Sequence, residues 1–356
     1  MMNEALYGVD LFGDPVVPPT RGPIADRFLV PPFSVLNAGE GFWQERKRSW
    51  VSLGIKSEVG RDSNALGLSE SAEANRQSHA EYGARAATAV SQRLAPGGGG
   101  GGCWLGGPKT ATSDAFGNTK ATENDSGTSI FDPVLCELVY RWFTPAGGLV
   151  LDPFAGGSVR GIVAHKLGLR YYGVELREEQ VAANREQGAA ICPGDEPVWV
   201  TGDSMVVLDG ADVPRADLLF SCPPYGDLER YSEDPADLST MEWHTFTAAY
   251  RRIILRAARH LRDDRFACFV VGDFRDKRTG FYRNFVGDTV AAFREVGLEL
   301  YNQAILVTPR GSLPIRIAKQ FTAGRKLGKT HQDVLVFVKG DPMRAARACA
   351  EIESVA

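Results

Sequence analysis

An alternation of short apolar segments with helical patterns constrains the fold of this chain more than any other feature of its sequence. Six apolar segments have the length of buried strands: 149–151, 170–175, 197–201, 216–221, 266–271 and 334–338. Helical patterns lie between them, among them Glu178–Gln187 and the amphipathic segment Thr245–His260. Strands that alternate with helices form parallel sheets with crossover helices. The sequence therefore predicts an α/β fold with a doubly wound, mostly parallel sheet.

Changes in sequence composition divide the chain into four regions. Residues 1–96 mix proline-rich stretches with one aromatic and basic patch at 41–50, and we predict a partly irregular N-terminal extension there. Residues 97–127 begin with six consecutive glycines, whose backbone freedom predicts a flexible linker. The α/β domain is predicted at 128–342 and a short tail at 343–356. For the patch we favour a small packed element over a contact with DNA or with a partner.

Composition excludes several classes of protein. The 356 residues carry a formal net charge of −4, so bulk charge does not attract nucleic acid, although a local basic groove is compatible with that value. No apolar run reaches the ~18 residues of a membrane helix, and residues 1–10 carry acids where a signal peptide carries Lys or Arg. The six cysteines form no CxxC pair. We expect a cytoplasmic protein with reduced thiols and no metal site.

The turn after the first predicted strand has the composition of a ligand-binding loop. It reads Asp-Pro-Phe-Ala-Gly-Gly over 152–157, and glycines between a strand and a helix let backbone amides approach a ligand closely. It is not the GxxxxGK[ST] loop that binds nucleoside triphosphates, and its opening acid, Asp152, favours a ligand with a cationic group. Glu175, at the end of the second strand, is placed to accept hydrogen bonds from both hydroxyls of a ribose. Asp203 follows the third strand, where we expect it to meet an adenine amino group.

A second loop, Ser221–Tyr225, follows the fourth predicted strand. In a doubly wound sheet the first and fourth strands are neighbours, so this loop faces the glycine-rich turn across the topological switch point. Its two prolines lack an N–H and fix the backbone, and an aromatic ring follows them. Carbonyl oxygens beside a stacking ring fit a flat base with an exocyclic amine. We therefore expect the Tyr225 ring to stack on the face of such a base.

These two loops resemble motifs of the S-adenosylmethionine-dependent DNA methyltransferases that act on exocyclic amino groups, N6 of adenine or N4 of cytosine. Residues 152–156 are similar to motif I of that family, and residues 222–225, Cys-Pro-Pro-Tyr, are similar to its catalytic Asp/Asn/Ser-Pro-Pro-Tyr/Phe motif. Residues 128–133 resemble motif X. Glu175 resembles the acid of motif II, and Asp203 that of motif III.

The resemblance covers roughly residues 128–340 and implies a Rossmann-like class I methyltransferase fold with a seven-stranded sheet. The implied cofactor is S-adenosylmethionine, and the implied partner is double-stranded DNA, in a bacterial cell or a phage-infected host and in the setting of restriction and modification. Residues before Gly97 are similar to N-terminal portions of phage and prophage DNA methylases. The implied catalytic residues are Ser221, Cys222, Pro223, Pro224 and Tyr225, with the target base flipped out of the duplex onto the Pro-Pro-Tyr loop. The implied cofactor-binding residues are Phe131, Asp152, Pro153, Phe154, Ala155, Gly156, Gly157, Glu175 and Asp203.

Cys222 departs from the family, which has Asp, Asn or Ser at that position, and a thiol accepts hydrogen bonds weakly. Four interpretations stay open. The Pro223 carbonyl carries the contact with the amine; Ser221 substitutes after a small shift in register; Cys222 adds to a pyrimidine ring as a nucleophile; or Cys222 is a small packed residue. We rank the first interpretation highest, because Pro-Pro-Tyr fits amine chemistry.

A basic stretch near the C-terminus is the best candidate for a DNA-facing surface. Glycines at 311, 324 and 328 favour a loop there, and no acid lies between Glu299 and Asp333. Cations without neighbouring acids suit phosphate contacts. The expected DNA-binding residues are Arg310, Arg316, Lys319, Arg325, Lys326 and Lys329.

Two other functions remain open. The first keeps the fold and changes the acceptor to C5 of a pyrimidine, an RNA base or an amide, since Pro-Pro-Tyr loops also serve glutamine methylation. The second is a catalytically inactive DNA-binding module. It is motivated by Cys222 and by residues 157–160, Gly-Ser-Val-Arg, which are bulkier than the small residues that usually follow motif I and include a charge.

Overall fold

The computed structural model of the chain describes residues 23–56, 131–228, 230–309 and 313–349. The predicted linker at 97–127, the first residues of the motif X segment at 128–130, Cys103, Arg310 and the end of the tail lie outside the described residues.

An eight-stranded sheet forms the centre of the molecule, in the order β1-β9-β10-β6-β5-β2-β3-β4. Strand β10 runs antiparallel to both of its neighbours, and all other neighbours in this sheet are parallel. The strands, with the β7–β8 hairpin outside this sheet, are β1 Val35–Asn37, β2 Leu149–Asp152, β3 Arg170–Glu175, β4 Val198–Thr201, β5 Ala216–Ser221, β6 Leu261–Val271, β7 Phe274–Arg275, β8 Tyr282–Arg283, β9 Leu298–Val307 and β10 His331–Lys339.

Helices cover both faces of the sheet, which has an apolar layer on each side. Side chains alternate along β2, so that Val150 enters one layer and Leu151 the other. Helices α3 and α4 contribute to the layer of Val150, and α7 and α8 to that of Leu151. The helices are α1 Pro23–Phe28, α2 Gly41–Val51, α3 Pro133–Phe143, α4 Val159–Lys166, α5 Glu178–Ile191, α6 Ser204–Val207, α7 Trp243–His260, α8 Phe285–Glu295, α9 Leu313–Gly324 and α10 Pro342–Ala348.

The topology confirms the predicted Rossmann-like class I methyltransferase fold. Strands β2 and β5 are adjacent and parallel, and from this pair the sheet extends to β3 and β4 on one side and to β6 on the other. The switch point therefore lies between the carboxyl ends of β2 and β5, where ligands of such sheets bind.

Two details differ from the sequence-based expectation. The sheet has an eighth strand, because residues 35–37 of the N-terminal region pair in parallel with 305–307 of β9. Residues 313–324, expected as loop, form helix α9. Two of the glycines that favoured a loop lie outside the interior of this helix, since Gly324 is its last residue and Gly328 lies beyond its end, and Gly311 is outside the described residues.

Two acidic side chains of the domain, the buried Glu137 and the partly exposed Asp132, bind the described N-terminal residues. Glu137 on α3 is fully buried and accepts hydrogen bonds from Arg46, at 2.6 and 2.9 Å, and from the Trp50 indole, at 2.8 Å. Arg141 donates to the same carboxylate at 2.9 Å, and the Trp43 indole donates to Asp132. The aromatic and basic patch is thus a packed helix, as favoured from the sequence.

The charges around Glu137 make the attachment of α2 sensitive to acid. Burial alone would raise the pKa of Glu137, but the hydrogen bonds and charges of Arg46, Trp50 and Arg141 together lower it below the ordinary 4.5. A lowered pKa means that the carboxylate stabilises the fold above its unfolded-state pKa, and that this contribution is lost as the pH falls through the folded-state value.

We expect Glu137→Gln to lower the free energy of unfolding by about 2 kcal/mol at neutral pH, because two guanidinium groups and an indole lose a charged acceptor. In urea unfolding, the difference from the parent chain should shrink below about pH 4.5. The exposed Glu40→Gln is the matched control. A difference that stays constant from pH 7 to pH 4 would contradict this account of α2.

Candidate functional site

The two loops predicted from the sequence line one cavity of about 680 Å³ at the carboxyl ends of β2 and β5. Such a volume lies within the range of small-molecule sites. The predicted cofactor residues on its wall are Phe131, Pro153, Phe154, Gly156, Gly157, Glu175 and Asp203. The predicted catalytic residues on its wall are Cys222, Pro223, Pro224 and Tyr225.

Three predicted site residues, Asp152, Ala155 and Ser221, are instead fully buried behind this wall. The Asp152 carboxylate does not face a cationic group of a ligand as expected, because Arg160 of the chain itself is its partner, with Nε at 2.5 Å. Ser221 donates to Asp152 at 2.5 Å. Bringing Ser221 into the cavity would therefore require breaking this buried hydrogen bond.

Arg160, the charged residue that follows the glycine-rich turn, has a structural role. Its guanidinium also donates to the carbonyls of Phe154 at 2.6 Å and Ala155 at 2.9 Å, and it lies over the Phe131 ring at 4.6 Å. Burial alone would lower the pKa of Arg160, but the Asp152 carboxylate raises it above its ordinary value. Arg160 therefore stays charged and holds the turn from behind.

The glycine-rich turn is shaped for close approach from the cavity side. Gly156 has a φ of +52°, which a residue with a Cβ rarely adopts. Its amide donates to Glu175 at 2.9 Å, and its carbonyl accepts from Asn184 of α5 at 2.7 Å. The second Glu175 oxygen accepts from the Arg177 amide at 3.1 Å. The Arg177 guanidinium lies 3.9 Å from that oxygen, so the turn and Arg177 together orient the Glu175 carboxylate at the cavity wall.

Asp203 occupies the N-cap of α6, where its side chain accepts from the Met205 amide at 2.8 Å. The neighbouring Ser204 donates to the Pro153 carbonyl at 2.6 Å and so ties this cap to the glycine-rich turn. Asp203 lines the cavity next to the glycine-rich turn. This wall can therefore offer a carboxylate oxygen to a polar edge of a bound ligand.

The phenol of Tyr225 is held mainly by Gln332, Phe274 and Phe285, none of which was predicted as a site residue from the sequence. Gln332 on β10 donates to the Tyr225 hydroxyl at 2.6 Å, and the Cys222 sulfur lies 3.8 Å from the same oxygen. The Tyr225 ring stacks on Phe274, with centroids 6.4 Å apart, and meets the Phe285 ring edge-on. Burial, followed by the neighbouring Cys222, raises the pKa of Tyr225 well above its ordinary value. The side chain is therefore a neutral, oriented phenol.

The N-terminal region also contributes to the cavity wall, through Ala38 and Lys47. The Lys47 ammonium lies 3.5 Å from Asp132, at the start of α3. The basic patch at 41–50 contained this residue, but only the packing of α2 against the domain brings its charge to the cavity.

The predicted DNA-binding residues lie in and after helix α9. Lys319, Arg325 and Lys326 are exposed, and Lys329 is half-buried with its ammonium 4.0 Å from Asp333. Arg316 lies within α9, and Arg310 is outside the described residues. A second cavity of about 330 Å³ adjoins Lys326 and Lys329 and shares Tyr225 and Gln332 with the first.

Two features are absent from the described part of the chain. It holds no group of three or more His, Cys, Asp or Glu side chains arranged to bind a metal ion. None of the helices described is both long and apolar enough to span a bilayer.

Comparison with known proteins gives one family match. A family model described as "DNA methylase" matches residues 114–186, about a fifth of the chain, which include the glycine-rich turn and Glu175. No curated protein sequence matches significantly.

Solved structures with a similar fold include TrmN from Thermus thermophilus, at 16% identity and a TM-score of 0.40, over 60% of this chain and 51% of TrmN. A TehB-like SAM-dependent methyltransferase from Corynebacterium glutamicum aligns at 19% identity and a TM-score of 0.37, over 60% of this chain and 90% of that one. Magnesium protoporphyrin IX methyltransferase from Synechocystis, with bound SAM, aligns at 12% identity and a TM-score of 0.34, over 55% of this chain and 71% of that one. Similarities at this level identify no substrate for this chain.

We expect Arg160→Leu to destabilise the fold by about 3 kcal/mol, because it leaves the Asp152 carboxylate buried without its ion-pair partner. Differential scanning fluorimetry should show a fall in melting temperature of about 10 °C. Arg160→Lys should recover part of the loss, since it keeps the charge without the fork of donors. The control is Arg170→Leu, at an exposed position on β3. A melting temperature for Arg160→Leu equal to that of the control would overturn this role.

Proposed function

We propose that this chain is an S-adenosylmethionine-dependent methyltransferase that acts on an exocyclic amino group of a DNA base, N6 of adenine or N4 of cytosine. One observation carries the proposal: the glycine-rich turn with Glu175 and the Cys-Pro-Pro-Tyr loop line the same cavity at the switch point of a class I methyltransferase fold. The match of residues 114–186 to the DNA methylase model supports DNA as the substrate.

The cofactor half of the cavity fits the chemistry of S-adenosylmethionine. Glu175 offers acceptors for the two ribose hydroxyls, and Asp203 offers one for the adenine amine. The left-handed Gly156 keeps the turn free of a Cβ, so that the methionine part can lie close to the backbone. Lys47 brings a cation to the same wall, which suits the carboxylate of the methionine.

The acceptor half orients a planar amine. When bound, S-adenosylmethionine would supply a methyl group on a sulfonium sulfur. The amine nitrogen would bond to the methyl carbon in line as the carbon–sulfur bond breaks, S-adenosylhomocysteine would leave, and the nitrogen would release a proton to solvent. In this proposal the Pro223 carbonyl accepts a hydrogen bond from the amine and directs its lone pair towards the methyl group, while the Tyr225 ring stacks on the base. Gln332 and Phe274 fix the plane of that ring before the base arrives.

The proposal and its main alternative differ in the role that each gives to Cys222. Its thiol is partly exposed on the cavity wall, so attack on C6 of a cytosine, as in C5 methylation, is the second candidate function. The engagement of Ser221 by Asp152 speaks against a register shift that would bring this hydroxyl to the amine. The first interpretation, with the Pro223 carbonyl as the principal acceptor, therefore stays the preferred one.

For the cofactor half, we expect Glu175→Ala to raise the Kd for S-adenosylmethionine by about 100-fold, because two hydroxyls lose a charged acceptor. Isothermal titration calorimetry measures the effect. Glu179→Gln, exposed on the adjoining helix, is the control and should bind as the parent chain does. A Kd for Glu175→Ala within about twofold of the control would refute the placement of the ribose.

For the acceptor half, we expect labelled S-adenosylmethionine with mixed DNA to give N6-methyladenine or N4-methylcytosine after digestion and mass spectrometry. Tyr225→Ala should lower kcat by more than about 100-fold without changing the Kd for the cofactor, because the base loses its stacking surface. Cys222→Ser should retain transfer, since a hydroxyl accepts hydrogen bonds better than a thiol. Cys349→Ser, remote in sequence and half-buried, is the matched control.

The other outcomes decide between the alternatives. 5-Methylcytosine that disappears in Cys222→Ser would establish the second candidate and contradict the proposal. Label in RNA alone would contradict DNA as the substrate. DNA binding without any transfer would indicate an inactive binding module.

A further inference from the structure

A short β-hairpin, residues 274–283, projects from the rim of the candidate site. Strands β7 and β8 pair antiparallel, with Phe274 opposite Arg283 and Arg275 opposite Tyr282. The base of the hairpin is fixed to the site, because the Phe274 ring lies nearly parallel to that of Tyr225. The position of the hairpin tip is therefore set relative to the acceptor loop.

The turn of the hairpin is held in one conformation. One Asp276 oxygen accepts from the amides of Arg278 at 2.9 Å and Thr279 at 2.7 Å, and the other pairs with Arg283. Gly280 has a φ of +75°, and its amide donates to the Asp276 carbonyl at 2.8 Å. A turn that is ordered in advance loses little conformational entropy when it binds a partner.

This ordered turn presents two aromatic rings to solvent, with Phe281 76% exposed and Tyr282 48% exposed. The same ten residues contain four cations and one carboxylate, Asp276, which Arg283 already neutralises. The Arg275 guanidinium lies over the Tyr282 ring at 4.0 Å. Proteins bind single-stranded nucleic acid on surfaces of this kind, where aromatic rings stack on the bases and cations contact the phosphates.

The hairpin and the basic segment after α9 form one surface. The Lys326 ammonium lies 3.1 Å from the position that a Cβ on Gly280 would occupy, so it reaches the hairpin tip. Between the two segments lies the second cavity, lined by Arg275, Tyr282 and Lys326. Because Tyr225 and Gln332 line both cavities, this surface is continuous with the site proposed for methyl transfer.

We propose that the hairpin tip stacks Phe281 and Tyr282 on unpaired bases next to the acceptor nucleotide, while Lys326 and the hairpin cations contact the phosphates. The chain would then bind single-stranded or locally opened DNA in preference to an intact duplex, in which each base face is already covered by its neighbours. The inference rests on the proposed function for the identity of the acceptor. The stacking itself does not require that methyl transfer occurs.

The test is fluorescence anisotropy with a labelled, mixed-sequence DNA of about 20 nucleotides, longer than the ~4–16 that one single-strand site covers. We expect the parent chain to bind the single strand more tightly than the same sequence as a duplex. Phe281→Ala should weaken single-strand binding by about tenfold, whereas Phe281→Trp should retain it. The control is Phe33→Ala, which is 65% exposed, precedes β1 and lines neither cavity.

Single-strand affinity of Phe281→Ala within about twofold of the control would overturn the inference, and so would a parent chain that prefers duplex. Methyl transfer is measured separately, so the two proposals fail in different ways. If DNA is never methylated but its binding still depends on Phe281, the proposed function fails and the hairpin surface stands. If transfer occurs with an unchanged KM for the oligonucleotide in Phe281→Ala, the hairpin inference alone fails.

Discussion

The Asp152 carboxylate is the interaction on which the rest of the site depends. From the end of β2 it accepts hydrogen bonds from Arg160 on α4, from Tyr171 on β3 and from Ser221 on β5. A buried ion pair of this kind adds little net stability compared with apolar packing, but its geometry is strict and the loss of one partner is costly. The glycine-rich turn and the Cys-Pro-Pro-Tyr loop begin next to this carboxylate. Their separation across the cavity is therefore fixed by one charged group.

Local sequence predicted those parts of the fold that have clear boundaries. Strand β5 occupies 216–221 as expected, because prolines at 214 and 223 limit it on both sides. Strand β1 has three residues and no periodicity of its own, so only its pairing with β9 defines it. Helix α9 was not predicted, because glycines flank it and Pro314, two isoleucines and Thr322 interrupt its good helix formers.

The site residues that directly follow the carboxyl ends of the strands were predicted from the sequence. The residues on the two loops could be named because the carboxyl ends of β2, β3, β4 and β5 converge in any sheet of this order. Asp152 was assigned to a ligand because nothing in the sequence links it to Arg160 or Tyr171 as a partner. Gln332 could not be found, since only the register of β10 against β6 brings it beneath Tyr225.

Strand β1 also has a consequence for the outer edge of the sheet. An open edge displays unpaired amides and carbonyls that can recruit strands from other molecules. Within the part of the chain that the structure describes, strand β1 pairs with residues 305–307 of β9, the end where Leu306 is buried, and the remainder of β9 carries Glu299, Asn302 and Gln303. Polar side chains disfavour strand addition along one part of this edge, and strand β1 of the N-terminal region pairs with the other part. The segment that reaches the cavity wall through Ala38 and Lys47 thus also protects the sheet against intermolecular strand addition.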